Sequence, residues 1–268
     1  MPIPRTLHQR FFAKWAREMA YVLGFFAADG NMIRNKRGAH FITFYNCDKD
    51  VILYVQSVLG SNHKIGTKPP HKNQRANYQL QIGSKNMFAD LIALGMTPAK
   101  SKSLRLPTIP RKMIGDFVRG YFDGDGCVYF NRLKFSDRKN PRPILMVRFT
   151  SGSVSFLREL HVLLKACGVH GGAVRLKSNK AGYDLTLSHR DSVALFHLMY
   201  DNISPSGFYL ERKKEKFDLA IRALYGGVAQ PGRAFGCHPK GRGFKSRHSR
   251  KNNEHDARHR ATIVFAGE

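Results

Sequence analysis

The sequence has few acidic residues, few cysteines and no long apolar run. Nineteen Asp and Glu accompany 45 Lys and Arg, so the net charge is +26 and a polyanion such as nucleic acid is the favoured partner. The four cysteines form no C-x-x-C pair and no zinc-like spacing with histidine, which predicts reduced thiols in the cytoplasm, nucleoid or an organelle. No apolar run reaches the roughly 20 residues of a membrane span, so we expect no membrane partner.

Two ten-residue segments repeat one pattern 96 residues apart. Residues 21–30 read YVLGFFAADG and residues 117–126 read FVRGYFDGDG. Each segment is typical of an apolar helix, and we expect its closing glycine to end the helix in the left-handed conformation. Asp29 and Asp125 would then lie at helix C-termini, where the macrodipole disfavours an anion. A chain that does this twice is predicted to hold a divalent cation with these carboxylates.

Small residues recur every four positions within both segments. Gly24 and Ala28 share one helical face, and so do Gly120 and Gly124. Faces of small residues let two helix backbones approach closely. If the helices pack through these faces, the two aspartates lie side by side and repel each other unless metal ions lie between them. A lone Asp-Gly is usually only a turn, so the matched pair carries this prediction.

The two segments resemble the paired motifs of the LAGLIDADG homing endonucleases, in the single-chain form that carries both copies. Residues 22–30 and 118–126 align with the nine-residue signature without a gap. Arg119 and Ala27 are modest departures from it, and the similarity extends over roughly residues 12–224. The resemblance implies an α/β (α+β) fold of two pseudo-symmetric αββαββα halves, packed through a central helix pair and binding DNA with antiparallel sheets.

An internal duplication agrees with two halves. Helix-like and strand-like patterns follow each motif in the same order, which predicts helix, strand pair, helix, strand pair, helix in each half. We assign residues 1–106 to the first half and 107–225 to the second, joined by the proline-containing connection 106–111. Residues 226–268 are rich in Gly and Arg and are predicted to form a disordered basic tail. A sharper hypothesis is that this tail resembles a tRNA gene translated in frame.

The resemblance also implies the chemistry of the site. It predicts a site-specific, metal-dependent endonuclease that hydrolyses double-stranded DNA, with Asp29 and Asp125 as catalytic metal ligands. The backbone carbonyls of Ala28 and Gly124 are implied as further ligands. Because these ligands are hard oxygens without an accompanying Cys or His, Mg²⁺ or another hard divalent cation is favoured over zinc.

A basic residue near each half-site is implied as well. By their positions in the two repeats, the candidates are Lys100 or Lys102 in the first half and Lys213 or Lys214 in the second. We take Lys102 and Lys213 as the predicted catalytic pair.

Polar residues on the predicted strands and loops suggest a DNA-binding face. In residues 77–82 the side chains alternate between amides and apolar groups, and in 174–177 Val and Leu alternate with Arg and Lys. Such a sheet face can contact base edges and phosphates together. The predicted DNA-binding residues are Arg34, Lys36, Arg37, Lys72, Arg75, Asn77, Gln79, Gln81, Arg138, Lys139, Arg142, Arg148, Arg175 and Lys177.

Two other functions are compatible with the same scaffold. One is an RNA maturase with intron RNA as its partner, and the other is a DNA-binding regulator that does not cleave. Retention of both aspartates argues against the regulator. An intein origin is disfavoured because the chain starts at Met1 without a splice-junction Cys or Ser. We expect a monomer that binds a long, imperfectly palindromic duplex.

Overall fold

A computed structural model describes residues 5–70, 75–134 and 139–225. The first half contains, in order, α1 (Arg17–Asp29), β1 (Gly30–Arg34), β2 (His40–Asn46), α2 (Lys49–Val58), β3 (Ile65–Lys68), β4 (Asn77–Gly83) and α3 (Lys85–Ala93). The second half contains α4 (Ile114–Asp125), β5 (Gly126–Leu133), β6 (Arg142–Ser151), α5 (Val154–Ala166), β7 (Ala173–Leu176), β8 (Tyr183–Ser188), α6 (His189–Tyr200) and α7 (Glu211–Tyr225). The predicted αββαββα order is confirmed in both halves, and the second half adds α7.

Each half carries one antiparallel sheet of four strands. The strand orders are β1-β2-β4-β3 and β5-β6-β8-β7. In each half the last strand therefore pairs with the second, and the third strand lies at the edge of the sheet. Pairing of Phe44 with Leu80 and of Ile42 with Ile82 places apolar side chains of β2 and β4 on the same face. These four side chains are buried, so that face packs on the helices and the other face is left for polar contacts.

The two halves meet along α1 and α4. A Cβ atom added at Gly24 would lie 2.0 Å from the carbonyl oxygen of Phe117, and one added at Gly120 would lie 2.0 Å from that of Tyr21. Backbone therefore touches backbone at both glycines, in a reciprocal contact between the pseudo-equivalent helices. The predicted central helix pair is confirmed.

The glycines that follow these helices correct one expectation. Gly30 and Gly126 have φ of −93° and −91°, so they are extended and begin β1 and β5 instead of adopting the left-handed conformation. Glycine is needed there for space, because an added Cβ would lie 2.1 Å from the ring of Phe26 or of Phe122. The chain thus passes from helix to strand with no intervening turn.

The segment 201–210, between α6 and α7, lies against the first half. The ring of Phe208 stacks on Tyr54 of α2 at 4.8 Å and meets the edge of Tyr21 at 5.9 Å. At the start of α7, the guanidinium of Arg212 donates to both carboxylate oxygens of Asp48, which immediately precedes α2: Nε to Oδ1 at 3.0 Å and Nη2 to Oδ2 at 2.5 Å. These contacts fix α7 against both halves.

Some predictions concern residues outside the described ranges. These are Lys72, Arg138 and the tail 226–268. The connection between the two halves lies inside the described ranges, and residues 104–110 belong to no helix or strand. In the part of the chain that is described, no helix is both long and apolar enough to cross a membrane.

Replacing Gly24 or Gly120 by alanine is expected to lower the melting temperature strongly. The new methyl group must push two helix backbones apart, and overpacking of this kind costs about 1–3 kcal/mol or more. Gly66→Ala is the matched control, because its Cβ would meet nothing closer than 3.8 Å. Equal melting temperatures for the three variants would show that the helices do not meet at these glycines.

Candidate active site at the helix seam

The last residues of α1 and α4 place two carboxylates beside each other. A Cβ added at Gly124 would lie 2.4 Å from that of Ala28 and 3.3 Å from Oδ2 of Asp29, so the absence of a side chain at 124 lets the helix ends approach. Burial, together with the charge of Asp125, raises the pKa of Asp29 to about 6. Burial also raises the pKa of Asp125. Two acids held this close favour a bound cation.

An asparagine side chain orients Asp29. Nδ2 of Asn46 donates to Oδ2 of Asp29 at 2.7 Å, and Oδ1 of Asn46 accepts from the backbone N–H of Asp48 at 2.8 Å. Strand register places Ser151 at the equivalent position of the second half, so the two acids have different neighbours. Sequence reasoning missed Asn46, although its place at the end of the strand paired with β1 is a usable signal.

Two buried lysines lie beside the acids. Lys100 and Lys213 are only 6% and 5% exposed. Nζ of Lys100 donates to the carbonyl oxygen of Gly30 at 2.5 Å, and Nζ of Lys213 donates to that of Gly126 at 2.7 Å. Because Gly30 and Gly126 are pseudo-equivalent, the lysines occupy matching places in the two halves.

Burial lowers the pKa of both lysines to about 8. The charges of Asp29 and Asp125 oppose that effect for Lys100, and those of Asp123 and Asp29 oppose it for Lys213. In return, both ammonium groups lower the pKa of each seam carboxyl. The lysines therefore offset part of the repulsion between the acids, an effect that the sequence did not reveal.

The structure does not bring Lys102 to the site. Lys100 begins a short 3₁₀ helix, 100–102, in which Lys102 is exposed. Ala99, in the left-handed conformation, precedes that helix and sets the direction of its side chains. Lys100 therefore replaces Lys102 as the candidate of the first half. In the second half Lys214 pairs with Asp218 at 2.8 Å, which leaves Lys213 as the lysine at the seam.

Each lysine-bearing segment is placed by the opposite half. The hydroxyl of Ser153, in the second half, donates to the carbonyl oxygen of Leu104 at 2.7 Å. A Cβ added at Gly152 would lie 2.4 Å from the carbonyl oxygen of Ser101. Conversely, α7 carries Lys213 and contacts Asp48 of the first half through Arg212. Asp48 and Ser153 are equivalent residues that precede α2 and α5. Both lysines therefore depend on correct packing of the two halves.

The chemistry of the donors suits a hard divalent cation. The seam offers two carboxylate side chains, those of Asp29 and Asp125. Among the described residues, no group of three or more His, Cys, Asp or Glu could hold a metal ion. Magnesium is commonly bound through one or two carboxylates, with water and phosphate completing its octahedron. The residues present therefore fit magnesium and do not fit a structural zinc site.

The polar faces of the sheets flank this seam. Asn31, Thr43 and Gln81 pair in one row on the face of the first sheet opposite its apolar face. In this row Gln81 is exposed, Asn31 is half-buried and Thr43 is only 1% exposed. Eight of the predicted DNA-binding residues are exposed: Arg34, Lys36, Arg37, Arg75, Gln81, Lys139, Arg142 and Arg175. Four are half-buried: Asn77, Gln79, Arg148 and Lys177.

Two residues of the second sheet depart from the expected pattern. Nη1 of Arg148 lies 3.4 Å from Oδ2 of Asp184, so this guanidinium has a protein partner. Leu176 is 53% exposed, because β7 is an edge strand that ends there. Lys177, by contrast, lies near enough to the seam for its charge to lower the pKa of Asp125.

A profile of the LAGLIDADG-like domain matches the chain twice, over residues 16–92 and 112–198. The chain belongs to this family. Its LAGLIDADG repeats begin near the starts of α1 and α4, and they include both seam aspartates.

Two relatives are similar to the chain at the sequence level. Over 186 residues the chain is 33% identical to a probable translation initiation factor IF-2 of Thermococcus kodakarensis, covering 65% of this chain and 14% of that protein. Over 219 residues it is 28% identical to an uncharacterised protein of Methanocaldococcus jannaschii, covering 77% of this chain and 72% of the relative. The chain thus spans a small part of the first relative and most of the second.

Solved LAGLIDADG structures share the fold. One is I-SmaMI bound to uncleaved target DNA with calcium ions, with TM-score 0.52, 13% identity, and coverage of 81% of this chain and 95% of that one. Another is the LAGLIDADG homing endonuclease I-LtrWI bound to target DNA, with TM-score 0.50, 11% identity, and coverage of 78% and 91%. The likeness is one of fold, and it spans both halves.

Asp29→Asn is expected to flatten the pH dependence of stability of the metal-free protein. The folded-state pKa of Asp29, about 6, lies above the ordinary 3.8, so the folded chain binds this proton more tightly than the unfolded chain. The contribution of Asp29 to the free energy of unfolding therefore rises as the pH falls from about 6 towards about 4. Asparagine does not titrate, and urea unfolding in EDTA across this range measures the difference.

Asp50→Asn provides the control for that measurement. It removes the same charge at an exposed position in the first turn of α2. If Asp29→Asn and Asp50→Asn show the same pH dependence as the wild type, the carboxylates do not share a buried seam.

Proposed function

We propose that this protein is a site-specific endonuclease that hydrolyses both strands of a long duplex DNA site with magnesium. The observation that carries the proposal is the pair of carboxylates at the seam, Asp29 and Asp125, each beside a buried lysine. The DNA-bound state of related LAGLIDADG structures and the charge of +26 support duplex DNA as the partner. Because one chain carries both halves, we propose that it acts as a monomer.

The carboxylates and lysines divide the work at the seam. Asp29 and Asp125, with the carbonyls of Ala28 and Gly124, would hold the magnesium ions. When bound, magnesium neutralises phosphate charge and lowers the pKa of an attacking water. Lys100 and Lys213 remain protonated below about pH 8 and would stabilise negative charge that develops on the phosphate.

The sheets would read the duplex on either side of the seam. A two-stranded or larger β ribbon fits the major groove, where amide and basic side chains distinguish base pairs. On the first sheet Gln79 and Gln81 lie on the polar face, while Arg34 and Arg37 lie at the β1–β2 end, where phosphates are the expected contact. On the second sheet the exposed Arg142 lies at the matching β5–β6 end.

Selection from a random duplex library tests the function directly. The full chain is incubated with the library and magnesium, and the ends of cleaved molecules are sequenced. We expect one extended, imperfectly palindromic site to be enriched, with no cleavage in EDTA. Recovery of random ends, or cleavage that survives EDTA, would contradict a site-specific magnesium endonuclease.

Replacing either seam aspartate should separate cleavage from binding. Asp29→Asn and Asp125→Asn are expected to abolish double-strand cleavage of the selected site and to leave its affinity nearly unchanged, because these side chains hold metal and do not read bases. Asp50→Asn should cut normally. Gel-shift titration in calcium and cleavage in magnesium measure the two properties, and full cleavage by either seam variant would exclude the assigned site.

A chain that ends at Tyr225 should fold, bind the selected site and cut it. Every proposed catalytic and base-reading residue precedes that point, whereas residues 226–268 hold nine Lys and Arg against three acids. Loss of this charge should weaken non-specific binding and reduce its salt dependence. The slope of affinity against salt concentration provides the measurement. Loss of folding or of specific cleavage would place the boundary of the second half beyond residue 225.

A further inference from the structure

The second motif contains a buried carboxylate that the proposed reaction does not use. Asp123 is 0% exposed and lies three residues before Gly126. At the matching position of the first motif, three residues before Gly30, the chain has Ala27. A buried acid in one half and a methyl group in the other require a reason, because burying an unpaired carboxylate is costly.

Asp123 joins three separate parts of the molecule. Its Oδ2 accepts a hydrogen bond from the hydroxyl of Tyr21, on α1, at 2.8 Å. The same oxygen accepts from the backbone N–H of Leu210 at 3.1 Å. Leu210 immediately precedes α7, so the carboxylate lies at the N-terminus of that helix, where a negative charge is stabilising.

The helix that Asp123 holds is the one that carries Lys213. The backbone N–H of Lys213 donates to the carbonyl oxygen of Leu210 at 2.9 Å, which places the lysine in the first turn of α7. Its Nζ then donates to the carbonyl oxygens of Phe122, Asp123 and Gly126 at 2.6–2.8 Å. All three N–H groups are thus directed at the C-terminal end of α4, where a cation is favoured.

Charge links the same two residues. Oδ1 of Asp123 has no hydrogen-bond partner among the described residues. Burial raises the pKa of Asp123 to about 6, and the ammonium group of Lys213 is the largest of the influences that oppose this rise. Burial lowers the pKa of Lys213 to about 8, and the charge of Asp123 is the largest of the influences that oppose this fall. Arg119 is also near, but its guanidinium is already bound to Asp116 at 2.6 Å.

The lysine of the first half is held differently. Within the described residues Lys100 donates to one acceptor, the carbonyl oxygen of Gly30, and it comes from a 3₁₀ turn instead of a long helix. The short turn offers no helix N-terminus for a carboxylate, which explains why Ala27 suffices there.

We propose that Asp123 is a positioning residue that fixes Lys213 in the site through the start of α7 and through its charge, so that the two halves hold their lysines by different means. The part of this inference that concerns cleavage rests on the proposed function. The part that concerns the pairing of Asp123 with Lys213 does not.

A double-mutant cycle on stability tests the pairing without DNA. Asp123→Asn keeps an oxygen acceptor for Tyr21 and Leu210 and removes only the charge. Each single change should raise the equilibrium constant for unfolding. In the double variant Asp123→Asn/Lys213→Met the increase should be at least about fivefold smaller than the product of the two single increases. When Lys100→Met replaces Lys213→Met in the cycle, the effect of the double variant on this equilibrium constant should equal the product of the two single effects within about twofold. Urea unfolding at pH 7 measures both cycles.

Multiplicative effects of Asp123→Asn and Lys213→Met would overturn the pairing. If Lys213→Met alone does not fold, the double variant should fold, because it no longer contains an unpaired buried carboxylate. A double variant that remains unfolded would also count against the proposal.

Strand-specific cleavage tests positioning. With each strand of the selected duplex labelled separately, Lys100→Met and Lys213→Met should slow different strands. Asp123→Asn should slow the strand that Lys213→Met slows, by at least about tenfold, with unchanged affinity for the duplex. Equal slowing of both strands, or none, would overturn the positioning role. If the wild-type chain cuts no duplex, the proposed function fails, and the stability cycle still decides the pairing.

Discussion

The contact between α1 and α4 is the constraint on which the rest of the structure depends. At Gly24 and Gly120 backbone touches backbone, so the helix ends are fixed relative to each other with little freedom to slide. The approach continues to Ala28 and Gly124, and it is this closeness that places Asp29 beside Asp125. Each helix then passes directly into the first strand of its sheet, so the position of the acids also fixes the two polar faces.

The cost of bringing two acids together is distributed over several neighbours. Asn46 donates to one carboxylate, and two buried ammonium groups lie near both. The lysines in turn depend on contacts between the halves, at Ser153 for one and at Asp48 for the other. A site built in this way is complete only when both halves of the molecule are folded and packed together.

Much of this arrangement could be predicted from the sequence because it follows from local pattern. The repeated small residues predicted the helix pair, and alternation in residues 77–82 matches the buried and polar faces of β4. The choice between Lys100 and Lys102 could not be made, because it depends on the left-handed Ala99 and on packing against Gly152. The left-handed conformation expected for Gly30 and Gly126 is wrong. Glycine is required at these positions because the rings of Phe26 and Phe122 leave no space for a Cβ atom, and not because φ is positive.

Binding of a divalent cation between the ends of α1 and α4 is the central claim. Iron(II) in place of magnesium, with ascorbate and peroxide, cleaves a protein backbone close to the bound ion, and mass spectrometry of the fragments locates the cuts. With duplex DNA present, we predict cuts near residues 28–30 and near residues 124–126 in the same preparation. Both should disappear when Asp29 and Asp125 are replaced together by asparagine. Cuts confined to one motif, or at an unrelated place in the chain, would contradict a shared metal site at the seam.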